Sequence, residues 1–252
     1  MNASNSSRPA LRWLAVGAGF ATALYATHAG FSWLRYGRPA SPASDETDQL
    51  LDQFIPKYEV VERHHVPVDA PADITLAAAC DMDISQSAII RSIFKGRELV
   101  LGGHPDSVRR PQTLRAWATE LGWGVLGQMP DREIVFGAVT RPWVANPVFR
   151  PVLPDEFASF REPGYAKIVW TLRADPIGAT KSVARSETRV ATTDPLARAA
   201  FRRYWSFFSP GIELIRWISL GLVKKEAERR VRAARQDRRS VESQEAEGTV
   251  KG

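Results

Sequence analysis

Few side chains in this sequence have both the type and the spacing for chemistry. Asp81 and Asp83 flank Met82, and paired carboxylates can divide the work of acid and base. Close to a helix end, such a pair more simply caps the helix or faces solvent. His64 and His65 are adjacent; in an extended segment they point to opposite faces and cannot both hold one metal. His104 stands far off in a basic stretch. Cys80, the single cysteine, lies beside Leu76, Ala77, Ala78 and Ala79, an apolar setting that keeps a thiol protonated and inert. Alone, it forms no internal disulfide, so nothing marks an oxidising compartment. No metal-ligand spacing, phosphate-binding glycine loop, dinucleotide fingerprint or nucleophile elbow is present. The residues therefore imply no catalytic set, no metal and no cofactor. His64 or His65 remains the one strong titratable candidate for an enzyme.

Binding is better represented than catalysis. Trp143, Trp170, Tyr204 and Phe208 are aromatic side chains placed where they can wall a pocket, although core packing alone would also explain each of them. Arg141 and Arg203 could meet an anionic head group, or make ordinary surface ion pairs.

These residues sit on elements that the pattern places with fair definition. Tyr58 to Val66 alternates, with Val60, Glu62, His64 and Val66 on one face, so it reads as a strand with neither face clearly apolar. Short helices are expected over 72–84 and 87–94, the second capped by Ser85 or Ser87, then a loop over Arg97 to Pro111 and a helix over 112–121. Strands follow at 123–129 and 133–139 around a Pro130-Asp131 turn, then at 165–174 and 180–192. The strand at 165–174 puts Ala166, Ile168, Trp170 and Leu172 on one face. In the last strand Lys181, Arg185, Glu187 and Arg189 form an outward set; Glu187 and Arg189 read as an exposed ion pair. Its opposite set is Ser182, Ala184, Ser186, Thr188 and Val190. Small residues on a core face either admit a helix closely or leave space, and space beside aromatic walls is a ligand cavity. Ser186 and Thr188 thus join the candidate ligand-binding residues. A long helix then opens at Thr193 or Asp194 with Pro195 in its first turn, and Ser209-Pro210-Gly211 should kink or restart it.

The flanks add a different expectation. Trp13 to Leu34 carries no charge and, at about 1.5 Å per residue, would reach roughly 33 Å as a helix, enough to cross a bilayer core. Arg8, Arg12 and Thr27-His28-Ala29 also allow a cleaved signal peptide, but the run outlasts a typical signal core and has Trp13, Trp33 and Tyr36 at its ends. The balance favours an uncleaved, single-pass anchor and hence a membrane location, with sidedness left open by the similar basic flanks. The net charge of +6 gathers in the C-terminal stretch, where Glu226, Glu228 and Asp237 interrupt it. A solvated helix face accounts for this, anionic lipid is the second reading, and nucleic acid is not expected. The organisation is then an N-terminal segment 1–12, an anchor 13–36, a tether 37–57, one domain 58–223 and a basic helical then disordered tail 224–252. Nothing in the sequence sets an oligomeric state. The fold class is α+β, with an antiparallel sheet wrapped around the terminal helix.

The layout, with the stretches ISQSAIIRSIFKGREL (84–99), DREIVFGAVTRPW (131–143), EPGYAKIVWTLRADPIG (162–178) and ETRVATTDPLARAAFRRYWSFFSPGIELIR (187–216), resembles the START-like (SRPBCC) superfamily, and within it bacterial proteins of the polyketide cyclase and lipid-transport grouping. The resemblance covers roughly residues 58–223. It implies a helix-grip fold of about half a dozen strands around a C-terminal helix, enclosing a deep apolar pocket. It implies as partner a hydrophobic small molecule or lipid, with catalysis only in a minority of such proteins; fold does not settle function. The expectation is a membrane-tethered, non-catalytic binding domain. A cyclase or aromatase acting on a polyketide-type substrate and a non-binding interaction protein are the rivals.

Overall fold

The computed structural model describes residues 7–102 and 112–250. Among them, five strands form one antiparallel sheet: β1 (Val60–Val68), β2 (Gly124–Met129), β3 (Glu133–Thr140), β4 (Ala166–Pro176) and β5 (Ser182–Thr192), in the spatial order β1-β5-β4-β3-β2. The helices are α1 (Ser7–Arg35), α2 (Gln49–Phe54), α3 (Ala72–Asp81), α4 (Ala88–Leu101), α5 (Leu114–Glu120), α6 (Pro154–Phe157) and α7 (Pro195–Val250). This is the α+β, helix-grip arrangement expected. Asp131 takes φ 56° in the turn between β2 and β3, and Gly178 takes φ 99° between β4 and β5. Asp194 opens α7, its Oδ1 accepting from the backbone N–H groups of Leu196 and Ala197 at 2.8 and 2.9 Å, with Pro195 as the first helical residue. Ser87 is the cap of α4, accepting from Ile90 N–H at 3.4 Å.

The inner face of the sheet meets α7. At one end, Ala174, Ala184 and Leu172 pack with Leu76, Ala78 and Ala79 of α3 and with Leu220, Val223 and Ala227 of α7. There the small residues of β5 do admit a helix: Ser182 Oγ lies 2.8 Å from Thr75 Oγ1 of α3 and donates to Ala70 O at 2.9 Å. At the other end, Val60, Ala166 and Val190 pack under Tyr36, Phe201 and Trp205.

The outer face departs from expectation. The supposedly outward Glu187 and Arg189 are 5% and 2% exposed. Arg189 bonds Glu187 Oε1 at 2.7 Å, Asp52 Oδ1 at 2.6 Å and Ile55 O at 3.1 Å, while Arg63 bonds the other oxygen of Glu187 at 3.1 Å. A chain segment covers them. The stretch 37–57, expected as a tether, lies along this face: Leu51, Phe54 and Ile55 are buried against Val135, Val139, Phe157 and Val169. Arg173 and Arg185 reach across to it, donating to Asp45 O at 3.1 Å and to Asp45 Oδ2 at 2.7 Å. Both faces of the sheet are therefore covered, which is why β1 showed no apolar face.

The transmembrane anchor expected over residues 13–36 is overturned: among the described residues no helix is long and apolar enough to cross a membrane. Freedom from charge had stood in for hydrophobicity. The run is largely Ala, Gly, Ser and Thr around His28, and only strongly apolar residues lower the cost of insertion. The helix forms, but its polar residues turn to α7. His28 Nε2 lies 3.1 Å from Glu213 Oε1 and 3.3 Å from Ser209 Oγ, and Ser32 Oγ lies 3.0 Å from Ser209 Oγ. Arg202 donates to Trp33 O at 2.8 Å and stacks 4.0 Å from its ring.

Two smaller differences concern boundaries. Of the expected loop Arg97 to Pro111, Arg97 to Leu101 belong to α4, and residues 103–111, with His104, lie outside the described residues. Pro210 neither breaks nor restarts α7, which runs as one helix of 56 residues.

Candidate functional site

Between the two packed ends, the middle of the inner face is less completely buried. β4 is the central strand, and on its inner face Ala166, Trp170, Leu172 and Ala174 are buried, yet Ile168 is only half-buried. Across from it Tyr204, Phe208, Ile212, Ile215 and Arg216 of α7 are likewise half-buried. Tyr204 and Arg216 are surrounded by protein but keep partial solvent accessibility. These side chains border the space between the inner sheet face and α7.

The walls of that space are mostly apolar. Trp170 stacks on Phe136 with ring centres 4.3 Å apart and meets Trp123 edge-on at 5.9 Å. Tyr204 and Phe208 lie 4.9 Å apart, and Trp143, half-buried in the connection after β3, meets Phe201 edge-on at 6.4 Å. Arg97 of α4 lies 5.9 Å from the Tyr204 ring and donates to Pro142 O at 3.0 Å, which ties α4 to the Trp143 segment. The Arg216 guanidinium sits 5.2 Å over the Trp170 ring, and burial draws its pKa down to about 10.

Polar groups gather toward β1. Glu62, His64, Ser186 and Thr188 share the inner face, His64 opposite Ser186 and Glu62 opposite Thr188 in the β1–β5 register. His64 is 8% exposed, and burial, then Arg216, then His65 hold its pKa down to about 4, so it is neutral at pH 7. Its Nε2 and the Oγ of Ser186 are buried with no hydrogen-bond partner. Glu62 Oε2 lies 3.7 Å from that nitrogen, beyond hydrogen-bonding reach, and burial together with Glu213 pushes its carboxyl up to about 7 against the pull of Arg35 and Arg216. A carboxyl half-protonated near neutrality, beside a neutral imidazole and an unpaired hydroxyl, can exchange a proton or hydrogen-bond a polar ligand group.

Of the expected site residues, Trp170, Ser186 and Thr188 lie on the inner sheet face, Tyr204 and Phe208 lie on α7, and Trp143 packs beside Phe201. Arg141 lies elsewhere. It is exposed, donates to Gly164 O at 2.9 Å and stacks on Tyr165 at 4.4 Å; Arg203 is exposed as well. The cations at the space are instead Arg97 and Arg216. Neither they nor Glu62 were singled out from the sequence, although Glu62 shared a strand face with His64 and Arg216 interrupts an apolar stretch of helix. His65 lies exposed on the opposite side of β1. Asp83 caps Ser85 N–H at 2.9 Å and Asp81 pairs with Arg230 at 3.0 Å, so this pair is structural. Burial raises the pKa of the Cys80 thiol, as an inert cysteine requires. Among the described residues no three metal-ligating side chains converge.

Neither a family model nor a curated protein matches the chain. Several solved structures align with it, among them two aromatase/cyclases. The di-domain aromatase/cyclase BexL of the BE-7585A biosynthetic pathway is 15% identical with a TM-score of 0.26, over 67% of this chain and 46% of that one. The Zhui aromatase/cyclase from Streptomyces sp. R1128 is 18% identical with a TM-score of 0.24, over 69% of this chain and 97% of that one. The chain thus spans less than half of the first. Both likenesses are too slight to carry an activity across.

Proposed function

We propose that this protein binds a hydrophobic small molecule, a lipid or a polyketide-type compound, in the space between the inner sheet face and α7. The observation that supports the reading is the incompletely buried middle of an otherwise buried face, at Ile168, Tyr204 and Arg216. Apolar burial drives the binding, at roughly 5 kcal/mol for about 200 Å² removed from water. Arg216, Glu62 and Ser186 orient a polar end of the ligand. Native mass spectrometry of the gently purified full chain tests this. A co-purifying apolar adduct is expected, and its loss in Ile168→Trp, which fills the space. A chain free of adduct, whose interior tryptophan fluorescence also ignores added apolar probes, would sink the reading.

The pair formed by Glu62 and His64 supports a second reading, a cyclase-type enzyme. In it Glu62 moves a proton on and off a reactive keto chain held along Trp170 and Tyr204. Positioned acid–base groups contribute about 10²–10⁴-fold to rate. Glu62→Gln should then abolish turnover of a poly-keto substrate by at least about 10²-fold while ligand binding stays within a few-fold. Unchanged turnover in that variant leaves binding without chemistry.

A further inference from the structure

A second cleft, separate from the space under α7, opens on the outer side of the sheet. Its volume is about 400 Å³. One wall is the end of α2 and the chain after it, Gln53 to Glu59; the other is the turn after α6, with Ala158, Phe160 and Arg161; the floor includes Lys167 of β4 and Ala191 and Thr192 of β5. The volume falls in the range of small-molecule sites, and Phe54, Ile55, Pro56, Tyr58 and Phe160 give it apolar walls.

Lys167 is the unusual member. It is 6% exposed, and no carboxylate pairs with it among the described residues. An ammonium has three protons to donate. One goes to Ala158 O at 2.9 Å, and the Phe157 ring lies 5.3 Å away. Burial, and after it the neighbouring cation Arg161, draws the Lys167 pKa down to about 8. A buried charge is costly unless it is paired. The remaining polar wall is already satisfied. Glu59, the one carboxylate lining the cleft, accepts from Thr192 N–H and Thr192 Oγ1, both at 2.8 Å, and Thr193 Oγ1 donates to Tyr165 O at 3.1 Å. Lys57 and Arg161 add two exposed cations at the rim.

We infer that this cleft is a binding site for a small amphipathic carboxylate, whose anionic end meets Lys167 beneath the rim cations and whose aromatic or aliphatic body lies along Tyr58 and Phe160. The site is independent of the ligand reading for the inner space.

The test titrates the full-length, isotopically labelled chain with phenylacetate, with its neutral isostere phenylacetamide and with inorganic phosphate, following backbone amide resonances. Phenylacetate should bind at least tenfold tighter than either of the others, with shifts clustered at Lys57, Ala158 and Lys167. Lys167→Met should weaken phenylacetate at least tenfold. Equal binding of the acid and the amide overturns the inference even if the variant folds poorly. Phosphate binding as tight as phenylacetate removes the amphipathic class, and shifts centred on Tyr204 and Arg216 place the acid in the inner space instead; each overturns it too.

Discussion

Glu187 shows how strongly a single side chain can depend on a distant covering segment. Its two oxygens are shared by Arg63 and Arg189, all three side chains lying beneath the residues around α2. Removing its charge leaves two guanidinium groups facing each other with little water, so Glu187→Gln should cost about 3–5 kcal/mol in urea unfolding. The buried carboxyls also make stability depend on pH. Burial, with Asp48 beside it, pushes Glu133 up to about 8, and Glu62 stands at about 7. Both bind a proton more tightly folded than unfolded, so the stability they contribute is complete near pH 4.5 and is lost as pH rises through 7 and 8. His64, depressed to about 4, acts oppositely, but only between pH 4 and 6.5. Between pH 6.5 and 8 the urea midpoint should therefore fall, and Glu133→Gln should flatten that decline; a rising midpoint in the wild type would refute the assignment. In the sequence, Glu133, Glu187 and Arg189 looked like ordinary strand charges. Nothing local distinguishes a charge facing water from one that a remote segment will cover.

At the level of elements, much was legible because the signals are local. The Asp194-Pro195 start of α7, the Ser87 cap of α4 and the alternation Ala166, Ile168, Trp170, Leu172 each rest on residues within a turn or a strand of one another. Other features were not legible because they depend on partners far away. Proline 210 should interrupt a free helix, yet it is held within α7 where α1 crosses beside it and Ser209 is fully buried. The segment 37–57 has a linker's composition, but Leu51 makes it a cover. Leu51 is 0% exposed among Val135, Val139 and Phe157. Leu51→Ala should lower stability by about 2–5 kcal/mol in denaturant titrations, whereas the same change in a true linker would have no effect. The small residues of β5 had two readings; at Ser182 and Ala184 the first holds, for there they admit α3 closely.

For the whole molecule, ligand occupancy and stability are one equilibrium. A compound present at about 100 times its dissociation constant adds about 2.7 kcal/mol to the folded state. In a chain of this size that is roughly 5–11 °C in melting temperature. Differential scanning fluorimetry with apolar compounds should find shifts of this order in the native chain and none in Ile168→Trp. The sheet's connectivity bears on how the molecule is made. β1 occupies an edge and has one neighbour, β5, which arrives late; Arg63 and Glu187 are 124 positions apart. At about 5–20 residues per second, a ribosome takes roughly 6–25 s to supply that neighbour. Throughout that interval the nascent chain displays an unzipped ribbon to chaperones and to its own siblings on the same messenger, so yield on overexpression should be governed by translation speed rather than by the stability of the finished product.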